Sequence, residues 1–285
     1  MGAGGSRPQK LEKALGRLSV PEAEHYFGLE NFGNTCYCNS VLQALYYCVP
    51  MRERCLEYFA ERSAEGSEDD LLLSLCELFQ AITSQRRRCG VFAPRRFVSQ
   101  LRTDNELFNN NLHQDAHEFL NYLLNEAAEL LEKRNRPNGA DKAPANGPAG
   151  GGSGGGADGG GADGSADGGG RYTWKTWIHS IFEGVLVNET RCLCCEAVTT
   201  RTESFLDLSL EIDVDSSVST CMRNFCALEP LRGENKFRCD ACCSLQEADR
   251  RIRIARLPNV LALHLKRFKY AEDLGRSVAS PGTPS

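Results

Sequence analysis

The sequence predicts an α+β protein whose helices fill the first half and whose strands fill the second. Three observations carry that expectation. Apolar residues recur every three or four positions in three stretches before residue 134, the period of a helix with one buried face. Apolar and polar residues alternate in three stretches after residue 204, the period of a strand. Between the halves lies a Gly-rich segment with no apolar side chain larger than alanine, which cannot bury enough surface to offset its chain entropy.

In chain order, residues 1–24 hold Gly, Pro and alternating charge and are expected to form a flexible N-terminal arm. Its start, Met1-Gly2-Ala-Gly-Gly-Ser6, fits the N-myristoylation pattern, although short Gly/Ser motifs arise easily. A single acyl chain gives only marginal membrane binding, so a membrane partner would follow only from acylation of Gly2. Tyr37, Val41, Leu42, Leu45 and Tyr46 then share one face of a helix that Pro50 is expected to end. Leu71, Leu75, Leu78, Phe79 and Ile82 predict a second helix behind an acidic turn. Phe119, Leu120, Leu123, Leu124, Ala127 and Leu131 predict a third over residues 113–133.

Residues 135–170 hold 15 of the chain's 27 glycines and are expected to be a disordered insertion. Strands are expected from Trp174 onward. Leu206, Leu208, Leu210 and Ile212 alternate with Asp207, Ser209 and Glu211, and Arg251–Ile254 and Val260–Leu265 repeat the habit around a Leu257-Pro-Asn259 turn. A short amphipathic helix through Val218, Cys221, Met222 and Phe225 interrupts a mainly antiparallel sheet.

Composition narrows the function. With 285 residues, 41% apolar and 25% charged, the chain has the make-up of one globular domain of enzyme size. The longest apolar runs fall far short of the roughly 20 residues that span a bilayer, and the N-terminus has no signal-peptide core. A cytoplasmic location is therefore expected, with the nucleus as a second compartment. A net charge of −5 argues against nucleic acid as a partner, and Arg86–Arg88 and Arg250–Arg251 read as solvated runs. Fourteen cysteines in so core-rich a chain suit metal binding or catalysis better than a disulfide scaffold.

One cysteine stands out. In Gly28-Leu-Glu-Asn-Phe-Gly-Asn-Thr-Cys36-Tyr-Cys-Asn-Ser-Val-Leu-Gln43, Cys36 lies where a Gly/Asn-rich turn meets the first helix. Unpaired amides and the positive end of the dipole gather at a helix start, so a thiol placed there ionises more readily than a free one. Asn31, five residues upstream, can return across the turn to donate its amide beside the Cys36 N–H, and two such donors make an oxyanion hole. On spacing alone, a small buried hydrophobe remains the competing reading of Cys36.

Two further pairs carry metal chemistry. Cys192-x-x-Cys195 and Cys239-x-x-Cys242 stand 43 residues apart. Each pair can direct two sulfurs to one point, and four thiolates close the tetrahedral sphere of a structural Zn2+. Cys194 and Cys243 lie beside them as alternative ligands or free thiols, and a redox dithiol is the competing reading.

Together these motifs resemble those of the ubiquitin-specific proteases. The Cys36 phrase, Gln114-Asp-Ala-His-Glu-Phe119, the paired Cys-x-x-Cys units and Leu263-His-Leu-Lys-Arg-Phe268 follow one another in the family's order, and the likeness covers roughly residues 25–275 outside the insertion. The resemblance implies a papain-like cysteine protease fold. Residues 25–134 would form a helical thumb and 171–275 the zinc-bearing β fingers and the start of a palm sheet. It implies a hydrolase that cuts the isopeptide or peptide bond at ubiquitin's C-terminal glycine, with Cys36 as nucleophile and Asn31 as oxyanion donor. Asp115 would lie along the groove for ubiquitin's arginine-bearing tail, where a plain helix-start charge is the simpler reading. Gln43 and Asn39 would support the Cys36 turn, and a WD-repeat activator would dock on the fingers.

The same resemblance exposes a gap. A thiol protease needs a base, usually histidine, and a third group to orient it. The resemblance assigns that role to none of His25, His113, His117, His179 and His264, since the family's base comes after the segment matching Leu263–Phe268. Residues 276–285 read as a non-homologous tail. The expectation is an incomplete catalytic domain, inactive as it stands and with an open edge on its last strand. The alternative is a silent ubiquitin-binding or decoy protein.

Overall fold

A computed structural model describes residues 24–65, 69–110, 112–135, 175–212, 215–271 and 276–279. Most of the expected arm, Gly2 included, and nearly all of the Gly-rich insertion lie outside the described residues.

The first half is a helical lobe: α1 (Cys36–Tyr47), α2 (Val49–Glu65), α3 (Leu71–Thr83), α4 (Arg95–Asp104) and α5 (Ala116–Asn135). Its core is built on fully buried rings, Phe79, Phe97, Phe108 and Phe119, packed among leucines of α1, α3 and α5. Asp70 starts α3 by accepting the Leu73 N–H at 2.6 Å, which satisfies one of the donors a helix start leaves open.

Three expectations are corrected here. Pro50 does not end α1, which stops at Tyr47, but occupies the second position of α2, where its missing N–H costs no bond. The third predicted helix begins at Ala116, so His113 lies before it and does not share its face with His117. Asp115 is the cap, its Oδ1 accepting the His117 N–H at 2.7 Å. The strands expected from Trp174 are preceded by a short helix, α6 (Trp177–Phe182), started by Thr176, whose Oγ1 accepts the His179 N–H at 3.5 Å. At six residues it is too short for its period to be counted. Helices α2 and α4 were not foreseen, because frequent charges dilute their apolar spacing; α2 buries only Met51, Cys55 and Tyr58.

A two-stranded parallel sheet, β1 (Tyr26–Leu29) with β2 (Cys89–Phe92), leads into the Cys36 turn. The second half continues with β3 (Gly184–Cys192), β4 (Val198–Phe205), β5 (Asp207–Glu211), α7 (Val218–Phe225), β6 (Glu229–Leu231), β7 (Phe237–Cys239), β8 (Ser244–Gln246), β9 (Ala248–Arg256), β10 (Ala262–Lys266), β11 (Phe268–Ala271) and β12 (Arg276–Ala279). Strands β4, β3, β9 and β6 pair in that order as an antiparallel sheet, and β7 pairs with β8 as a hairpin. Gly184 faces Phe205 across β3 and β4, and the Phe205 ring fills the place a β-carbon would take, so only glycine fits there.

Strands β5 and β10 pair in parallel, with Ser209 opposite His264. Leu208 and Leu210 are buried, as their alternation predicts. Strand β12 pairs antiparallel with β11, within the stretch expected to be a non-homologous tail, and β10, the last strand the sequence predicts, pairs among the described residues with β5 alone.

Candidate active site and metal centre

The turn from Asn31 to Cys36 is wound by two successive left-handed residues, Gly33 at φ 74° and Asn34 at φ 52°. Gly and Asn are the residues that reach this region at least cost. Inside the turn, the buried Thr35 hydroxyl accepts the Phe32 N–H at 3.0 Å and donates to Asn31 Oδ1 at 3.1 Å. The Thr35 N–H also reaches Asn31 Oδ1, at 3.0 Å. The oxygen of the Asn31 side chain is thereby committed to the turn, and its amide nitrogen is the end left to donate elsewhere.

Thr35 stands at the N-cap of α1 without bonding the helix's first amides through its side chain. Those amides keep their hydrogen-bonding capacity and the positive end of the dipole, and Cys36 is the first helical residue, exposed beside them. The next two residues hold this start in place. Tyr37 is buried between Phe108, stacked at 5.8 Å, and Phe119, edge-on at 5.4 Å. Cys38 is fully buried, which pushes its thiol up to about 12, and of these two neighbouring sulfurs only Cys36 faces solvent. From α1, Asn39 Nδ2 donates to the Glu30 carbonyl at 3.0 Å and Gln43 Nε2 to the Phe27 carbonyl at 2.6 Å. Both side chains support the turn, as the sequence suggests.

At the far end of the second half, the sulfurs of Cys192, Cys195, Cys239 and Cys242 lie within 4.8 Å of one another. Cys195 and Cys239 approach to 3.5 Å and Cys192 and Cys242 to 4.0 Å. Four thiolates around one tetrahedral ion with bonds of about 2.3 Å would sit about 3.8 Å apart, so the residues fit a metal ion. The Cys195 amide, with that of Cys194, pulls the Cys192 thiol down to about 7, while the Cys195 thiol leads its neighbours in pushing Cys242 up. A cation at the centre would resolve that opposition. The group of four includes neither Cys194 nor Cys243: Cys243 Sγ donates to the Asp240 carbonyl at 3.3 Å, while the Cys194 thiol lies near enough to Cys242 to help push it up.

A family model described as ubiquitin carboxyl-terminal hydrolase matches residues 27–280. The chain belongs to that family. It is 54% identical over 276 residues to ubiquitin carboxyl-terminal hydrolase 4 of Arabidopsis thaliana, which covers 97% of this chain and 73% of the relative. It is 46% identical over 272 residues to ubiquitin carboxyl-terminal hydrolase 12 of Salmo salar, which covers 95% of this chain and 69% of the relative. The family match runs past residue 275, where the motif resemblance stops, and takes in β12.

For a ubiquitin carboxyl-terminal hydrolase, the histidines deserve inspection. His25 Nε2 bonds the Gln85 carbonyl at 3.0 Å and His179 Nδ1 the Thr176 hydroxyl at 2.8 Å. His117 Nε2 meets Asp207 Oδ2 at 2.7 Å, and its ring stacks on His264 at 3.8 Å. His264 Nδ1 in turn meets Ser209 Oγ at 3.0 Å. Burial and then the charge of His117 lower the His264 pKa. Among the described residues no hydrogen bond joins any histidine to Cys36.

The sequence gives His117 and His264 no catalytic role and does not show that they meet. The polar face of β5, with Asp207 and Ser209 at alternate positions, was the available signal: it turns to α5 and β10 rather than to water. Asp115 stays exposed at the start of α5, near enough to His264 to raise its pKa against burial.

Proposed function

We propose that this hydrolase cleaves the isopeptide or peptide bond at ubiquitin's C-terminal glycine through a thioester on Cys36. The sulfur attacks the glycine carbonyl, the C–N bond breaks as the proton given up by the Cys36 thiol passes to the leaving amine, and water then frees ubiquitin's carboxylate from the thioester and returns the thiol. In both steps the negative oxygen lies between the Cys36 N–H and the Asn31 side-chain amide. A donor fixed in advance at that place stabilises the transition state without reorganising. The observation that carries this reading is an exposed sulfur at a helix start with no side-chain cap, beside an asparagine whose oxygen is already bound within the turn.

Asp115 is proposed to face the arginine of ubiquitin's tail. Its Oδ1 is taken by the first amides of α5, and the exposed Oδ2 is suited to an extended basic segment. Cys192, Cys195, Cys239 and Cys242 are proposed to hold a structural zinc, which with four protein ligands has no open position for chemistry and shapes the fingers that grip ubiquitin. A WD-repeat protein docking on those fingers is proposed from family resemblance. A cytoplasmic site of action is proposed, and no helix among the described residues is long and apolar enough to cross a membrane.

A second reading, ubiquitin binding without turnover, draws on the engagement of the histidines away from Cys36. A fluorogenic amide of ubiquitin's C-terminus separates the two. Release that disappears in Cys36→Ser supports the hydrolase. Saturable ubiquitin binding with neither Cys36-dependent release nor labelling of Cys36 by a C-terminal electrophile of ubiquitin would contradict it and favour the binder.

A further inference from the structure

One guanidinium grips the cysteine turn from outside it. Arg102, in the last turn of α4 and half-buried, donates from Nη2 to the Phe32 carbonyl at 2.8 Å, across 70 residues of sequence. Phe32 directly follows Asn31. The peptide before it is held through its N–H by Thr35 Oγ1, and the peptide after it through its carbonyl by Arg102, so both planes that flank Phe32 are pinned, and the first of them is the one that joins it to Asn31. The next residue, Gly33, is free of side-chain restraint about φ. Among the described residues no other side chain donates to the Phe32 carbonyl.

Arg102 borders a surface cavity of about 550 Å3 that is also lined by Phe32, Arg95, Ser99, Thr103 and Glu106. Burial and Cys38 push the Tyr37 phenol up to about 12 while the Arg102 charge draws it down, which puts the guanidinium near the start of α1 as well as near the turn. Arg95 touches the same residue differently, its guanidinium 5.1 Å from the Phe32 ring.

We propose that Arg102 is a positioning residue for acyl transfer: by holding the Phe32 carbonyl it keeps the Asn31 amide where the oxyanion forms. This rests on the roles assigned above to Cys36 and Asn31. Arg102 itself touches neither sulfur nor substrate.

Binding of ubiquitin carrying a C-terminal aldehyde tests it without requiring turnover. The Cys36 sulfur bonds to the aldehyde carbon, the carbonyl electron pair moves to oxygen and the thiol proton ends there, so the hemithioacetal oxygen occupies the oxyanion site. Plain ubiquitin reads the rest of the interface. Arg102→Ala is expected to weaken the aldehyde about tenfold, the size of one hydrogen bond to a charged group, and to leave plain ubiquitin unchanged. Arg102→Lys should recover most of the loss, and in an Asn31→Ala background Arg102→Ala should cost nothing further. Where Arg102→Ala does not fold, Arg102→Met, which keeps the stem and loses the donors, carries the same expectation.

Equal weakening of both ligands, no weakening of either, or a full tenfold loss on top of Asn31→Ala would overturn the proposal while leaving the oxyanion assignment standing. An aldehyde that binds wild type no better than plain ubiquitin, or Asn31→Ala with no effect on the aldehyde, would remove the oxyanion assignment and the role of Arg102 with it.

Discussion

The helical lobe and the fingers of this chain are stable for different reasons. In the lobe, α3 alone buries nine of its residues, and aromatic rings from α1, α4 and α5 meet in a common core. In the fingers, β4 shows no buried residue and β9 buries only Ala248, while Cys192 and Cys239 are buried at the metal site. Ion pairs lace the sheet, Arg253 to Glu189 at 3.1 Å and Arg250 to Glu229 at 2.7 Å, but exposed pairs of this kind each contribute only up to about 1 kcal/mol. Apolar burial holds the first region, and the metal ion proposed for the four clustered sulfurs would hold the second.

The largest effect that distinguishes the two is metal removal. Structural zinc sites contribute about 10–16 kcal/mol to the folding of small domains, so a chelator or Cys239→Ser should abolish amide-exchange protection in β3, β4 and β9. Protection in α3 and α5 should survive. Loss of protection throughout the lobe would show that the two regions are one cooperative unit. The reverse perturbation is Phe119→Ala, which removes a fully buried ring that touches Tyr37, Phe97 and Phe108. It should cost about 3–5 kcal/mol in denaturant unfolding of the lobe, with metal content unchanged. Asp70→Ala, which deletes the cap of α3, should cost about 1 kcal/mol by the same measurement.

The smallest effect sharpens the comparison at the seam between the regions, where His117 of α5 meets Asp207 of β5 and His264 of β10. The groups facing His264 are His117, Asp115, Asp207 and Lys266; burial, then His117 and Lys266, lower its pKa in the folded state and outweigh the two carboxylates, which raise it. A base with a lowered folded pKa takes up its proton first in the unfolded chain, so stability should fall as pH drops through the ordinary histidine range near 6.5. His264→Gln should flatten that acid limb in thermal melts at pH 5–7. An unaltered limb would show that the stacked pair does not couple to folding.

What the sequence discloses follows the same division between near and far. The Cys36 turn is legible because its parts lie within six residues and each has a local reason: Gly33 and Asn34 for positive φ, Thr35 for the internal bonds, a helix for the sulfur. The metal ligands are legible because a two-residue gap is the bite of one ion. Arg102 is not, because its partner is 70 residues away and a charged residue in a helix reads as solvated. Nor is the contact of His117 with Asp207, made across 90 residues where α5 meets β5. Helix α2 escaped for a different reason: charges at seven of its 17 positions mask a narrow buried stripe of Met51, Cys55 and Tyr58.

The central claim is that one sulfur among fourteen cysteines is set at a helix start to accept ubiquitin's acyl end. Ubiquitin bearing a C-terminal electrophile, followed by peptide mapping of the adduct, tests it most directly. The expected result is a single adduct on Cys36, lost in Cys36→Ser, with exposed Cys194 and Cys243 unmodified. Modification spread over the exposed thiols, or an unreacted Cys36 in a chain that binds ubiquitin, would contradict it.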